Sequence, residues 1–280
     1  RGRQGVNIIT IISLSIYQRY KNNINDKKTG FTKLIGKLMN DVSITSPVLK
    51  KYILSVKEHL DETNIYSSAI SRLYSMKTIQ RSGWLEKGRE IDKKMRVESV
   101  ADHTWGCCLL AQILLTEKIE DCVFLSKDDK NKYAAEYSKS KIINLLLVHD
   151  LPEIYTGDIP AIRQTVDKKE NETAAMQKIA ALDSFPFFHS FHNMGQLWNE
   201  FDAISDINAA LAYQIDKLEP LVQLYMYRTA LPDDQRKQQL ESWVQKSNEQ
   251  LNLCKVQTSF GSNVLEFLSK YFLGNDFFTY

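Results

Sequence analysis

The chain has 280 residues, 43% of them hydrophobic and 25% charged, with a formal net charge of +2 and a pI near 8.2. That is an ordinary soluble globular composition, and the charge is milder than the basic excess usual in proteins that hold a nucleic-acid backbone. Only 6 prolines and 11 glycines, spread over the length, argue against the many tight turns of an all-β fold.

The sequence opens Arg-Gly-Arg rather than with Met, which points to a processed, trimmed or replaced start. The apolar run from Val6 to Tyr17 is shorter than the roughly 20 residues a bilayer requires. No small-x-small cleavage site follows it, so we read an accessory helix rather than a targeting signal or membrane anchor. Helical spacing recurs over Phe31–Met39 and Pro47–His59, and residues 1–75 form an expected N-terminal helical extension. Its His59 reads as a surface or helix-end residue.

From Ser75 the character changes, and residues 76–280 are expected to form the functional core with C-terminal helices. Ser99–Ile119 is a predicted helix, with Ser99 as N-cap and Asp102 three residues on. Its apolar residues, among them Trp105, Cys108, Leu109 and Leu115, are expected mostly on one face. Leu125–Ser140 reads as a loop or an exposed helical turn. Lys141–Asp150 fits a buried helix or a buried strand by length; the lack of a nearby strand partner favours helix. Pro152 should bend or end it, and Gly157-Asp158-Ile159-Pro160 is a turn. Further helices are predicted over Thr165–Leu182, Asp202–Tyr227, Arg236–Asn252 and Val264–Phe272. His189 and His192, near an aromatic-rich connection, read as structural, and the aromatic tail ending in Phe277, Phe278 and Tyr280 as core packing or a dimer contact. The four cysteines, Cys107, Cys108, Cys122 and Cys254, contain no C-x-x-C pair and read as buried reduced thiols of a cytoplasmic protein. The pattern is an all-α bundle.

His149-Asp150 by itself is a weak signal, since a chance His-Asp pair is expected in roughly a third of such chains. Glu153 and Asp158 extend it to H-D-x-x-E-x-x-x-x-D, expected about once in a thousand chains of this composition. If the helix persists past Pro152, Glu153 shares a face with His149. These polar groups directly follow the apolar Ile142–Val148, where half-buried carboxylates need a partner, and a divalent cation takes imidazole and carboxylate together. His103 and Asp216 could complete a mononuclear site from other helices. Each also has a plainer reading: His103 packed at a helix start on Trp105, Asp216 paired with Lys217 or an arginine.

Three segments together, Val97–His103, Leu147–Ile159 and Ile215–Lys217, resemble the HD-domain superfamily of metal-dependent phosphohydrolases, and more narrowly its 5′-deoxynucleotidase branch. The resemblance covers roughly residues 75–230. It implies an all-α HD-domain helical bundle with His103, His149, Asp150 and Asp216 as metal ligands. It also implies that Glu153 and Asp158 position or activate the attacking water and assist the leaving alkoxide. Arg81-Ser-Gly-Trp84 resembles the family's substrate element, with Arg81 meeting the 5′-phosphate and Trp84 packing near the sugar. Mixed imidazole and carboxylate ligation suits Mn²⁺, Co²⁺, Fe²⁺ or Zn²⁺ better than Mg²⁺. The expected activity is hydrolysis of deoxynucleoside 5′-monophosphates, in a homodimer as the family resemblance suggests, with no polymer nucleic acid or membrane as partner. A basic insert between Trp84 and His103 keeps open a triphosphohydrolase or alarmone-type hydrolase of the same superfamily. A reading of another class is a catalytically silent metal- or nucleotide-binding regulator with an interaction role for residues 1–75.

Overall fold

Ser99 begins the helix on which much of the fold is hung. The hydroxyl of Ser99 accepts from the Asp102 N–H (3.2 Å) while the Asp102 carboxylate accepts from the Ser99 N–H (2.7 Å), a reciprocal cap that starts α1 (Val100–Leu114). In the computed structural model, which describes residues 71–85, 95–159, 166–181, 190–227 and 233–273, Arg72–Tyr280 form one unit. The expectations for the N-terminal extension, His59, most of the basic insert, His189 and the aromatic tail lie outside the described residues, as does the His192 side chain. The described residues hold no strand, only an isolated bridge between Gln80 and Ser99. No helix among them is long and apolar enough to cross a membrane.

After α1 come α2 (Lys127–Tyr133), α3 (Lys139–Val148), the short α4 (Glu153–Thr156), α5 (Val166–Ala180), α6 (Ser190–Ala203), α7 (Ile207–Tyr227), α8 (Asp233–Leu251) and α9 (Ser259–Leu273). Helix α7 is the central post: α1, α3, α6, α8 and α9 all pack on it. Its first half, rich in alanine, lets neighbours come close, with Ala209, Ala210 and Ala212 fully buried. Asp206 caps its start through the Ala209 N–H (2.8 Å). The main core gathers Leu110, Ala111 and Leu114 of α1, Ile142, Leu145 and Leu146 of α3, and Ile207, Leu211, Ile215 and Leu218 of α7. Each such aliphatic side chain contributes about 1.5–3 kcal/mol by leaving water. A second cluster, with Met76, Val100, Val148, Leu151, Met176, Ile179 and Trp198, lies beyond the α3 C-terminus.

Several sequence expectations change here. The helix from Ser99 stops at Leu114, with Leu115 in extended conformation. Its apolar residues encircle it: Cys107, Leu110, Ala111 and Leu114 are buried, whereas Trp105 is 67% exposed and Ile113 68%. Lys127–Tyr133 is a true helix, because Ser126 caps it through the Asp129 N–H. The run Asp202–Tyr227 is two helices, broken at Ile204, which adopts φ +48°. Most relevant to the site, α3 does not continue past Pro152. Proline offers no N–H to the Val148 carbonyl, and the Leu151 N–H takes it instead at 3.1 Å. The chain turns through His149–Pro152 and restarts at Glu153, so Glu153 is not on a continuous helical face with His149.

Candidate active site

The turn that interrupts α3 directs His149 and Asp150 towards α1 and α7. His149 Nδ1 lies 2.6 Å from the Leu146 carbonyl. A carbonyl only accepts, so Nδ1 carries the hydrogen and Nε2 presents a lone pair. His103, on the first turn of α1, is fully buried; its Nδ1 meets Glu219 Oε2 at 2.6 Å and its Nε2 meets Asp216 Oδ1 at 3.1 Å. Asp150 Oδ2 lies 3.2 Å from His149 Nε2 and 3.9 Å from His103 Nε2, and Asp216 Oδ1 lies 3.7 Å from His149 Nε2. The structure therefore brings His103, His149, Asp150 and Asp216 together from three helix ends or faces.

These four atoms fit a cation. Ligands about 2.1 Å from one ion lie roughly 3 to 3.5 Å apart when adjacent, close to the spacings of 3.1, 3.2, 3.7 and 3.9 Å in the cluster. His149 Nε2 and Asp150 Oδ2 are both buried and neither makes a well-aligned hydrogen bond within the described residues, as donor atoms reserved for an ion would be. The electrostatics point the same way. Burial and Arg81 push His103 down, yet the Glu219 and Asp216 carboxylates outweigh them and raise it to about 9. Burial likewise opposes a charged His149, and Asp150 and Asp216 lift it well above its ordinary value. Burial would raise Asp216 too, but Lys217 and the two imidazoles hold it well below the usual carboxylate range. The carboxylates favour positive charge at this spot, which a bound cation would supply.

Cys107, read from sequence as a plain buried thiol, lies 3.6 Å from His103 Nε2 and groups with His103, His149 and Asp216 as a donor that could face an ion. Burial and the surrounding Glu219, Asp216 and Asp150 carboxylates push its thiol well above the usual value. It packs there as neutral S–H.

The substrate-side residues arrive on the segment preceding α1. Backbone bonds from Arg81 N–H to the Glu98 carbonyl (3.0 Å) and from Val100 N–H to the Ile79 carbonyl (2.8 Å) fasten this segment to the α1 start. Arg81 thereby reaches Asp158 Oδ1 at 2.9 Å and Asp150 Oδ2 at 3.5 Å. Asp158 follows Gly157, whose φ of +71° makes the turn that L side chains resist; its Oδ2 accepts from the Ser82 N–H (2.6 Å) and the Ser82 hydroxyl. Asp158 thus braces Arg81. Glu153 lines the same cleft, and its Oε2 has no hydrogen-bond partner among the described residues. Burial first, then Asp150, raises its carboxyl well above the ordinary value.

Trp84 is only 3% exposed. It stacks on Trp243 of α8 (centroids 4.7 Å, 19°) and meets Tyr227 edge-on (5.2 Å). Its indole N–H donates to Glu98 Oε1 at 2.7 Å, so it enters the cleft as a fixed wall. Sequence reasoning missed Glu98, Glu219 and Trp243, whereas the pairing of Asp216 with Lys217 that it named is present, the ammonium lying 2.7 Å from Asp216 Oδ2. Burial lifts the Glu98 carboxyl to about 7, with Glu219 adding to the rise.

An all-α fold with a His, His-Asp and Asp cluster at its centre defines a class, and the sequence comparison agrees: the HD domain family model matches residues 73–256, and the chain belongs to that family. Over 168 residues it is 27% identical to the 5′-deoxynucleotidase HDDC2 of Dictyostelium discoideum, covering 60% of this chain and 80% of that protein. Human 5′-deoxynucleotidase HDDC2 is also 27% identical, over 155 residues, or 54% of this chain and 63% of the human one. The match thus spans less than two thirds of the human relative's length. A solved structure of a conserved hypothetical protein from Pyrococcus furiosus shares the fold, with a TM-score of 0.51 at 22% identity over 72% of this chain and 98% of that one.

Proposed function

We propose that this chain is a metal-dependent phosphohydrolase acting on deoxynucleoside 5′-monophosphates, with His103, His149, Asp150 and Asp216 holding one divalent cation. The observation that carries this reading is the convergence of those four donor atoms beside Arg81 and Glu153 in one cleft. The names of the relatives supply the substrate class. The donor set favours Mn²⁺, Co²⁺, Fe²⁺ or Zn²⁺ over Mg²⁺. When bound, such an ion supplies polarisation of a phosphoryl oxygen and a lowered water pKa.

The protein's own residues do the rest. Arg81, held by Asp158, offers its guanidinium to the phosphate and to the charge that grows on its equatorial oxygens. Glu153, buried and made more basic by its surroundings, accepts the proton of the water that attacks phosphorus. The bond from that water oxygen to phosphorus forms as the P–O5′ bond breaks, and the leaving alkoxide takes up the proton that Glu153 accepted. The products are deoxynucleoside and phosphate. The wall of Trp84 backed by Trp243 bounds the sugar side of the cleft.

Phosphate release from a panel of deoxynucleoside monophosphates, ribonucleoside monophosphates and deoxynucleoside triphosphates tests this, with Mn²⁺ or Co²⁺ added. Release is expected with the first group; none from any nucleotide with either ion contradicts the reading. The homodimer belongs to the same proposal. Trp105, Leu109 and Ile113, four residues apart on α1, are 67%, 42% and 68% exposed and make an uncharged apolar stripe of the kind that marks a protein contact. Trp105→Glu is expected to turn the sedimenting species into a monomer; a monomeric parent chain contradicts it.

A further inference from the structure

Glu219 is buried in the protein's centre, yet nothing in the proposed chemistry brings it into contact with substrate or ion. It lies three residues after Asp216 on α7, and so shares a helical face with it. The His103 ring is clamped between them, with Asp216 Oδ1 3.1 Å from Nε2 and Glu219 Oε2 2.6 Å from Nδ1. On the opposing helix, Gly106 stands three residues after His103. A Cβ at that position would overlap Glu219 Oε1 and come within 3.1 Å of Cδ. The glycine makes room for the carboxylate.

Both features work against stability taken alone, since a glycine inside a helix weakens it and a buried carboxylate is unfavourable to desolvate. Their common product is the hold on His103. A carboxylate can only accept, so Glu219 keeps the hydrogen on Nδ1 and leaves the Nε2 lone pair facing Asp216 and the His149-Asp150 turn. We infer that Glu219, admitted by Gly106, is a positioning residue that fixes the tautomer and ring plane of His103 for metal binding. This rests on the metal centre proposed above.

The test titrates the full 280-residue chain, freed of metal by chelation, with Co²⁺ alone, following affinity, the visible d–d spectrum and the metal-free melting temperature. Glu219→Leu and Gly106→Ala are expected to weaken Co²⁺ binding about 10- to 100-fold and to alter the spectrum. Glu219→Gln, which keeps one acceptor oxygen, should fall between them and the parent. Leu211→Ala, a core truncation in the same helix, should lower the melting temperature while leaving Co²⁺ affinity and spectrum as in the parent. Parental affinity and spectrum in both Glu219→Leu and Gly106→Ala overturn the inference. So does a loss of affinity in Leu211→Ala as large as theirs, which would make the effect one of stability. A parent chain that binds no Co²⁺ removes the metal centre itself, and the inference with it.

Discussion

The same three helices, α1, α3 and α7, build two unlike regions. Along one stretch they meet through Leu110, Leu114, Leu145, Leu146, Leu211 and Ile215, all buried and all apolar. Along the other they meet through His103, His149, Asp150, Asp216 and Glu219, four of them under 6% exposed. The first region is stabilised by leaving water. The second gathers buried charge that favours the fold only while every member has a partner. The contrast teaches a division of labour: the aliphatic layer supplies the rigidity that holds the polar layer in an arrangement it would not adopt by itself.

Substitutions that separate rate from stability sharpen this contrast. Asp150→Asn keeps the side chain's shape but removes a ligand charge. It should lower kcat/KM by on the order of 10³-fold, about 4 kcal/mol, while thermal unfolding shifts by a few degrees. Steady-state kinetics beside a melting curve measures both. Leu211→Ala should do the opposite, costing about 2–5 kcal/mol in denaturant unfolding with kcat/KM nearly unchanged below the transition. If it costs as much in rate as in stability, the two regions are not separable. Arg81→Lys retains charge but loses the planar guanidinium whose Nη1 meets both Asp158 and Asp150; an increase in KM with a total loss of about 10²-fold in kcat/KM is expected from the same assay.

The smallest effect belongs to a pair of helix starts away from the cleft. Asp129 accepts from the Ser259 N–H (2.8 Å) and hydroxyl (2.6 Å) and from the Ser126 hydroxyl (2.9 Å), tying α2 to α9. Burial alone would raise its carboxyl, and these donors lower it below the ordinary value instead. A lowered folded-state pKa gives stability that is present above the unfolded value, about 3.9, and lost as pH falls through the lower folded one. Asp129→Asn should therefore cost about 1 kcal/mol near neutral pH and progressively less as pH falls towards 3. Urea unfolding at several pH values would show it; a pH-independent difference would break the assignment.

Much of this was legible in the sequence. The Ser99–Asp102 cap, the helix it starts and the grouping of His149-Asp150 with Glu153 and Asp158 follow from local chemistry that needs no tertiary context. What was not legible depended on packing. Trp105 and Ile113 look like core by composition, but α1 carries apolar residues all round and only its neighbours decide which side is covered. The break at Ile204 rests on a positive φ in a β-branched residue, which no propensity foresees. Glu219 was missed although a signal existed: His103-x-x-Gly106 and Asp216-x-x-Glu219 have the same spacing on two helices. Only the structure shows that the glycine faces the glutamate.

The proposed metal centre requires four side chains to converge on one cation. A crystal of the Co²⁺-loaded chain, measured by anomalous scattering at the cobalt edge, tests it most directly. A single strong peak within about 2.0–2.3 Å of His103 Nε2, His149 Nε2, Asp150 Oδ2 and Asp216 Oδ1 is the predicted result. A peak bound elsewhere, or no peak between α1, α3 and α7 in a cobalt-saturated crystal, would contradict it.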